Sequence, residues 1–169
     1  AGKKFILVID QGTTRTKAVI YDKKAEIICR SYREVVCYYP QPGWVEHNPR
    51  EIWKSCLAVI KETIQKSRIE KDDISAIAIT NQRETVLVWD RASGEPLGNA
   101  IVWQCRRTTS FCNDLKRRGW EDFIRKKTGL LLNAYFSASK IRWILDNLPG
   151  VRRKAEKGEV VCGTIDSWL

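Results

Sequence analysis

Apolar and polar positions alternate along this chain in two rhythms: short apolar runs that stop at polar turns, and longer stretches with helical period. Phe5-Ile6-Leu7-Val8-Ile9 followed by Asp10-Gln11-Gly12-Thr13-Thr14 is the pattern of a buried strand that ends in a tight polar turn. Residues 16–21 predict a second strand, paired with the first as a hairpin, and residues 26–36 a third. Three consecutive antiparallel strands make a meander and not a βαβ unit, which excludes a dinucleotide-binding opening. Pro40, Pro42, Gly43 and Pro49 mark a loop, in which His47 reads as a hydrogen-bonding loop residue and not as a catalytic base. Asn48 then caps a helix, with Pro49 at its first position and Glu51 placed for a capping box. Ile52, Trp53, Cys56, Leu57, Val59, Ile60 and Ile64 fall on one broad face, predicted to be core.

Further along, residues 74–80 are small or apolar on both faces and predict a buried strand. Strands are also predicted at 86–89, 100–103 and 159–162. Helices are predicted at 108–117, at 120–127 with Gly129 as the stop, and at 138–147. Ser137 is the expected cap of the last, and Ile141, Trp143, Ile144 and Leu145 are its buried face. Residues 130–136 form an apolar loop with Tyr135 inside it, and residues 164–169 begin a further element. The alternation of strands and helices predicts an α/β fold with a mixed sheet opened by the antiparallel meander. There is no internal repeat or clear linker, and an end in mid-element reads as a fragment.

Composition narrows the class. The chain has 169 residues, enough to bury a core as one domain or a little more. No apolar run approaches the length that spans a membrane. The N-terminal stretch runs from Lys3-Lys4 straight into strand and has no signal-peptide cleavage pattern, so a cytoplasmic protein is expected. The six cysteines form no CxxC pair and stand beside a single histidine, His47, which excludes zinc-finger spacing. Cys29 and Cys162 sit in apolar contexts and are expected to be buried, reduced thiols. Net charge is +10, with basic clusters at Lys23-Lys24, Arg106-Arg107, Lys116-Arg117-Arg118, Arg125-Lys126-Lys127 and Arg152-Arg153-Lys154. These clusters are scattered among acidic residues without aromatic interleaving, so solvated helix faces are expected and no nucleic-acid partner.

Two stretches carry candidate chemistry. The turn after the first strand offers backbone N–H groups at Gly12, the hydroxyls of Thr13 and Thr14, and the Lys17 ammonium, a set that can hold phosphate oxygens. Like charge keeps Asp10 off phosphate, but at the carboxyl end of a strand it suits Mg2+ or its waters. The same spacing also fits a plain β-hairpin with a satisfied turn. The second stretch is the polar cluster directly after strand 74–80, Asn81-Gln82-Arg83-Glu84-Thr85. The Arg83 fork donates and the Glu84 carboxylate accepts, which suits vicinal hydroxyls. Trp103 offers a flat apolar wall and Tyr135 a hydroxyl on an apolar body. A surface ion pair with two core aromatics accounts for the same residues.

Six blocks taken together resemble the glycerol-kinase branch of the FGGY carbohydrate kinase family. They are Asp10-Gln11-Gly12-Thr13-Thr14, Pro42-Gly43-Trp44-Val45-Glu46-His47, residues 79–85, residues 99–107, Tyr135-Phe136-Ser137 and residues 163–169. They stand in the family's order and cover nearly the whole chain. The resemblance implies an actin- and hexokinase-like (ribonuclease H-like) ATPase fold with helices on both faces of the sheet, built as two related domains with the active site between them. Residues 1–169 correspond to most of the first domain, and the C-terminal domain lies outside this chain.

The implied activity is phosphorylation of glycerol to glycerol 3-phosphate by ATP with Mg2+. Asp10 would serve the metal, Gly12, Thr13, Thr14 and Lys17 the nucleotide phosphates, and Arg83, Glu84 and Tyr135 the glycerol hydroxyls, with Trp103 against the carbons. Two residues depart from the family pattern. Lys17 stands where arginine is common, keeping the charge without the fork, and Ala134 stands where proline is usual. No general-base aspartate in a Gly-Asp-Gln stretch is present in these residues, nor the second phosphate loop or the adenosine pocket. The expected partners are therefore glycerol, ATP or ADP and the missing C-terminal domain, with a homo-oligomeric parent left open. Two other readings remain at this point: a non-catalytic glycerol-binding or assembly module, and a kinase of another small polyol.

Overall fold

The computed structural model describes residues 4–169; Lys3, read above as the lead into the first strand, lies outside them. In chain order the elements are β1 (Phe5–Gln11), β2 (Arg15–Tyr21), β3 (Ile27–Glu34), β4 (Glu46–His47), α1 (Pro49–Ser67), a 3-10 turn (Lys71–Asp73), β5 (Ile74–Asn81), β6 (Val86–Asp90), β7 (Ala100–Ile101), α2 (Thr109–Arg117), α3 (Trp120–Thr128), α4 (Ser137–Asn147), α5 (Val151–Glu156), β8 (Val160–Thr164) and α6 (Ile165–Trp168). They form two compact units. The first holds the residues up to Cys37, Asn48–Gln82 and Ile165–Leu169; the second holds Tyr38–His47 and Arg83–Thr164. The predicted α/β class holds, but the strands divide into two four-stranded sheets and not one.

The first unit contains the predicted meander. β1 pairs antiparallel with β2, and β2 with β3, while β5 joins the other side of β1 in parallel, giving the mixed order β3-β2-β1-β5. Strand alternation sends Leu7, Ile9 and Gln11 to the buried side. There Leu7 meets Ala18 and Ile20 of β2 and Val59 of α1. Helix α1 starts as its sequence demands: Asn48 is the cap, its Oδ1 accepts from the Arg50 N–H at 3.0 Å, and Pro49 follows. The box is altered, because Glu51 accepts from the Asn48 side-chain amide at 3.4 Å. The buried face is narrower than predicted. Ile52, Cys56, Val59 and Thr63 are buried, whereas Trp53 and Leu57 are exposed.

β5 also departs from expectation. It is an outer strand of its sheet, with no partner beyond it among the described residues, and Ile77 and Ile79 are 61% and 40% exposed. An apolar run alone does not distinguish a central strand from an edge strand.

The second unit is an antiparallel sheet in the order β4-β7-β6-β8, with Val86, Leu87, Val88, Ala100, Ile101 and Val102 buried at its centre. Four further expectations are corrected here. His47, read as a loop residue, is fully buried in β4, where it pairs with Ala100. The strand expected at 100–103 stops at Ile101, because the chain turns and the Cys105 N–H donates to the Val102 carbonyl at 2.9 Å. Phe136, not Ser137, stands at the N-cap position of α4, and its side chain makes no capping hydrogen bond. Of the residues expected on the buried face of α4, only Ile144 is fully buried, and Lys140 is buried beside it.

Helix α5 was not foreseen; Gly150, at φ +75°, lets the chain restart a helix directly after Pro149. All six cysteines are free, but Cys162 is exposed on the outer strand β8 and Cys29 is half-buried on the outer strand β3. No helix among the described residues is long and apolar enough to cross a membrane.

Candidate functional site

The first candidate region belongs to the first unit. After β1 the chain reverses tightly: the Gly12 N–H donates to the Arg15 carbonyl at 2.9 Å, and a Cβ on Gly12 would sit 3.1 Å from that same oxygen. Glycine is required there by close backbone approach, not by a left-handed φ. Two glutamines, named in the sequence blocks without a role of their own, brace the turn. Gln11 is fully buried and donates its amide to the Gly12 carbonyl at 2.9 Å, while its Oε1 accepts from Gln82 Nε2 at 2.9 Å. The available signal was register, since Gln11 continues the inward series of Leu7 and Ile9.

Asp10, Gly12, Thr14, Arg15, Lys17 and Glu34 line an open cleft of about 500 Å3. Asp10 and Lys17 face each other across the hairpin, and Lys17 Nζ lies 3.0 Å from Asp10 Oδ2. Thr13 is half-buried, and its carbonyl accepts from the Cys37 thiol. The Thr14 carbonyl accepts from the Val35 N–H at 2.9 Å. No cluster of three or more metal-ligating side chains occurs among the described residues. A lone carboxylate suits Mg2+ all the same, since that ion keeps most of its waters and leans on substrate phosphates.

The second candidate region belongs to the second unit. Arg83 and Glu84 lie in the turn that leads into β6. Arg83 is exposed. Glu84 adopts a left-handed φ of +63°, a conformation that a non-glycine residue keeps only when its surroundings hold it. One source of that hold is visible. Glu84 Oε2 accepts from both the Ser137 N–H at 2.8 Å and the Ser137 hydroxyl at 2.6 Å. Ser137, expected to cap its own helix, is instead the first residue of α4 and serves Glu84. Glu84 Oε1 accepts no hydrogen bond from the described residues, so one carboxylate oxygen is available to a ligand hydroxyl.

Trp103 is held by its backbone N–H, which donates to the buried Thr85 hydroxyl at 3.1 Å. Its ring meets Tyr135 edge-on, with centroids 5.8 Å apart at 66°. Tyr135 is partly exposed, and its backbone N–H donates to Asn133 Oδ1 at 2.9 Å. Ala134 is buried beneath this turn. Glu84, Trp103 and Tyr135 are therefore fixed on one scaffold. Glu84 brings a free acceptor, and the two rings bring an apolar corner.

Two other blocks contribute to the scaffold. The Arg107 guanidinium is almost fully buried. It pairs with Glu46 at 2.6 Å and lies 3.9 Å from the Trp44 ring centroid and 4.6 Å from that of Trp143. That clamp joins residues 42–47 to residues 99–107, so Trp44, Glu46 and Arg107 are explained by folding, while Trp103 of the second block is left for the site.

Residues 5–169 match the N-terminal domain of the FGGY family of carbohydrate kinases. The chain belongs to the FGGY family of carbohydrate kinases. Glycerol kinase 2 of Thermotoga maritima is 54% identical over 166 residues, covering 98% of this chain and 34% of that protein. Glycerol kinase of Shewanella sp. (strain MR-4) is 52% identical over 167 residues, covering 99% of this chain and 34% of that protein. Among solved structures, Plasmodium falciparum glycerol kinase with ADP superposes with a TM-score of 0.90 at 37% identity, covering 99% of this chain and 34% of that one. The fold is thus the α/β, actin- and hexokinase-like ATPase fold of these kinases. The chain spans about a third of the length of the curated relatives that it matches.

Proposed function

We propose that this chain is most of the N-terminal domain of an ATP-dependent kinase that converts glycerol to glycerol 3-phosphate. The carrying observation is the set formed by Glu84, Trp103 and Tyr135: Ser137, two residues after Tyr135, holds one Glu84 carboxylate oxygen and leaves the other open, while the Tyr135 ring meets Trp103 edge-on. A three-carbon polyol matches it, because its hydroxyls need acceptors and donors on one side and its C–H edge needs an apolar wall on the other. Arg83, Glu84 and Tyr135 bind the hydroxyls, and Trp103 packs on the carbons. The identity to proteins named glycerol kinase supports glycerol over other polyols.

In the same reading Thr13, Thr14 and Lys17 receive the nucleotide phosphates, Gly12, whose own N–H is given to the Arg15 carbonyl, lets the phosphates come close to the turn, and Asp10 holds Mg2+ through water. When bound, Mg2+ neutralises charge on the transferring phosphoryl group. The contribution of these residues is to fix two reactants and to place positive charge near phosphate oxygens. Deprotonating the glycerol hydroxyl requires a base within hydrogen-bond reach. Glu84, the carboxylate best placed, is engaged by Ser137 as an acceptor. The base and the adenosine pocket are assigned to a C-terminal domain outside these residues, so residues 1–169 alone are expected to release no ADP.

The test is glycerol-dependent ADP release with Mg-ATP, by residues 1–169 and by the full-length protein. Activity of the full-length protein alone supports the reading. Activity of residues 1–169 would mean that a carboxylate among them acts as the base. In the full-length protein, Arg83→Ala should raise the glycerol KM about tenfold or more, the loss of a charged hydrogen bond, with the ATP KM little changed. An unchanged glycerol KM removes Arg83 from the site.

A further inference from the structure

Lys140 lies in the first turn of α4 and is fully buried. Neither location favours a cation. Burial strips water from the ammonium, and the N-terminal end of a helix is the positive end of its dipole. Lys140 also follows Phe136 and precedes Ile144 at four-residue spacing, on a face where an apolar side chain would pack without these costs. What accompanies the ammonium is a set of acceptors from the polyol site itself. Its Nζ donates to the backbone carbonyl of Tyr135 and, at 3.2 Å, to that of Phe136. The same turn delivers the Ser137 N–H and hydroxyl to Glu84, and the Glu84 charge acts favourably on the ammonium.

We propose that Lys140 is a positioning residue for the polyol site: it pins the Tyr135 and Phe136 carbonyls and thereby fixes the turn that sets the Tyr135 ring against Trp103 and presents Ser137 to Glu84. The inference rests on the assignment of that site to glycerol. Removing the ammonium releases the turn, so Tyr135 and the strained Glu84 lose their common anchor. The loss falls on the polyol and not on the nucleotide.

The test measures glycerol and ATP KM in the full-length protein for Lys140→Met and Arg83→Ala. The expected result for Lys140→Met is a glycerol KM raised about tenfold with an ATP KM within about twofold, the signature of lost binding of one substrate. A glycerol KM that stays within twofold while Arg83→Ala raises it overturns the role of Lys140 alone. An unchanged glycerol KM in Arg83→Ala, or no glycerol binding by the unaltered protein, overturns the site assignment and the inference with it. Equal losses for glycerol and ATP mean a merely structural lysine, which also overturns it.

A second measurement does not depend on the folding of Lys140→Met. Burial lowers the Lys140 pKa to about 8, and the titratable groups facing it are Glu84, Cys105 and Cys112. In a Cys105→Ser, Cys112→Ser background no thiol titrates beside it. Glycerol affinity should then weaken severalfold as pH rises through about 8, because a neutral amine donates weaker hydrogen bonds. A flat profile from pH 7 to 9.5 overturns the proposal.

Discussion

The Gly12 turn and the Glu84–Tyr135 region hold their side chains by different means. In the first, the groups proposed to meet phosphate lie on a hairpin with their ends in water: Lys17 and Asp10 are 49% and 40% exposed and pair with each other. In the second, Glu84 and Trp103 are tied down by partly buried polar contacts from distant parts of the chain, Ser137 to Glu84 and Thr85 to Trp103, while Arg83 is exposed. A phosphate is large and multiply charged, so exposed cations and backbone N–H groups attract it with modest precision. A small neutral polyol offers only hydroxyls and C–H edges, and selecting it demands fixed geometry.

The largest expected effect breaks the rigid side of that contrast. Glu84→Ala removes the acceptor for both Ser137 donors and the oxygen free for a ligand. In the full-length protein kcat/KM for glycerol should fall about 100-fold to 1000-fold, roughly 3–4 kcal/mol of transition-state binding. The ATP KM should change far less, and steady-state kinetics with each substrate varied in turn decides it. Equal loss for both substrates would mean that the strained turn supports the whole protein and not the polyol.

The second effect separates the two units by the sign of their pH response. In the second unit, burial holds Lys140 at about 8 in the folded state against an ordinary 10.5. Between those values the unfolded chain binds the extra proton, so stability rises with pH. In the first unit, burial pushes the Cys56 thiol up to about 11 against an ordinary 9.0. There the unfolded chain loses its proton first, so stability falls as pH rises from 9 to 11. Each arm is worth at most about 3 kcal/mol. Urea unfolding from pH 7 to 11 should show the rising arm vanish in Lys140→Met and the falling arm vanish in Cys56→Ala. A profile unaltered by either variant would sink the assignment.

The contrast also explains what could be read from the chain. The Gly12 turn is local: residues 10–17 contain the strand end, the glycine and the candidate ligands, and hairpin pairing fixes their register. The meander, the capped start of α1 and the turn at Arg83–Glu84 were legible for the same reason. What stayed hidden depends on long-range partners. Lys140 is a different case: its acceptors, the Tyr135 and Phe136 carbonyls, are only five and four residues away, but a lysine in a helical stretch reads as solvent-facing, and tertiary packing buries it. Ser137 looked like a helix cap because its competing acceptor, Glu84, is 53 residues away. His47 looked like a loop residue because a two-residue strand has too little pattern to be seen. The exposure of Ile77 follows from strand order, which apolar content does not encode.

Gln11 tests whether the exposed region has any rigid support of its own. Its amide links the Gly12 carbonyl to Gln82 within a fully buried setting. Gln11→Leu keeps the volume but leaves the Gln82 amide and the Gly12 carbonyl without these bonds. The expected cost is roughly 1 kcal/mol of stability, the usual net worth of a lost hydrogen bond, since the Gln82 amide still reaches the Gly12 carbonyl at 3.5 Å. In kinetics the ATP KM should rise and the glycerol KM should hold. If denaturant unfolding shows no loss, the glutamine pair is incidental and the turn is held by its backbone alone.

The smallest expected effect is the most selective. An ion pair as exposed as Lys17–Asp10 adds little to folding, so Lys17→Met should shift stability by less than about 0.5 kcal/mol. If Lys17 also meets phosphate, the same variant should raise the ATP KM severalfold, and the gap between variant and unaltered protein should narrow as salt rises from 0.05 to 0.5 M, roughly the range over which screening shortens to a few ångströms. Lys17→Arg restores a fork at a position where the family commonly has one, and should lower the ATP KM if that contact is bidentate. A KM insensitive to all three changes would leave Lys17 as the partner of Asp10 only. The phosphate would then rest on backbone N–H groups and on Thr13 and Thr14, making the turn less dependent on side chains than the polyol region at every point.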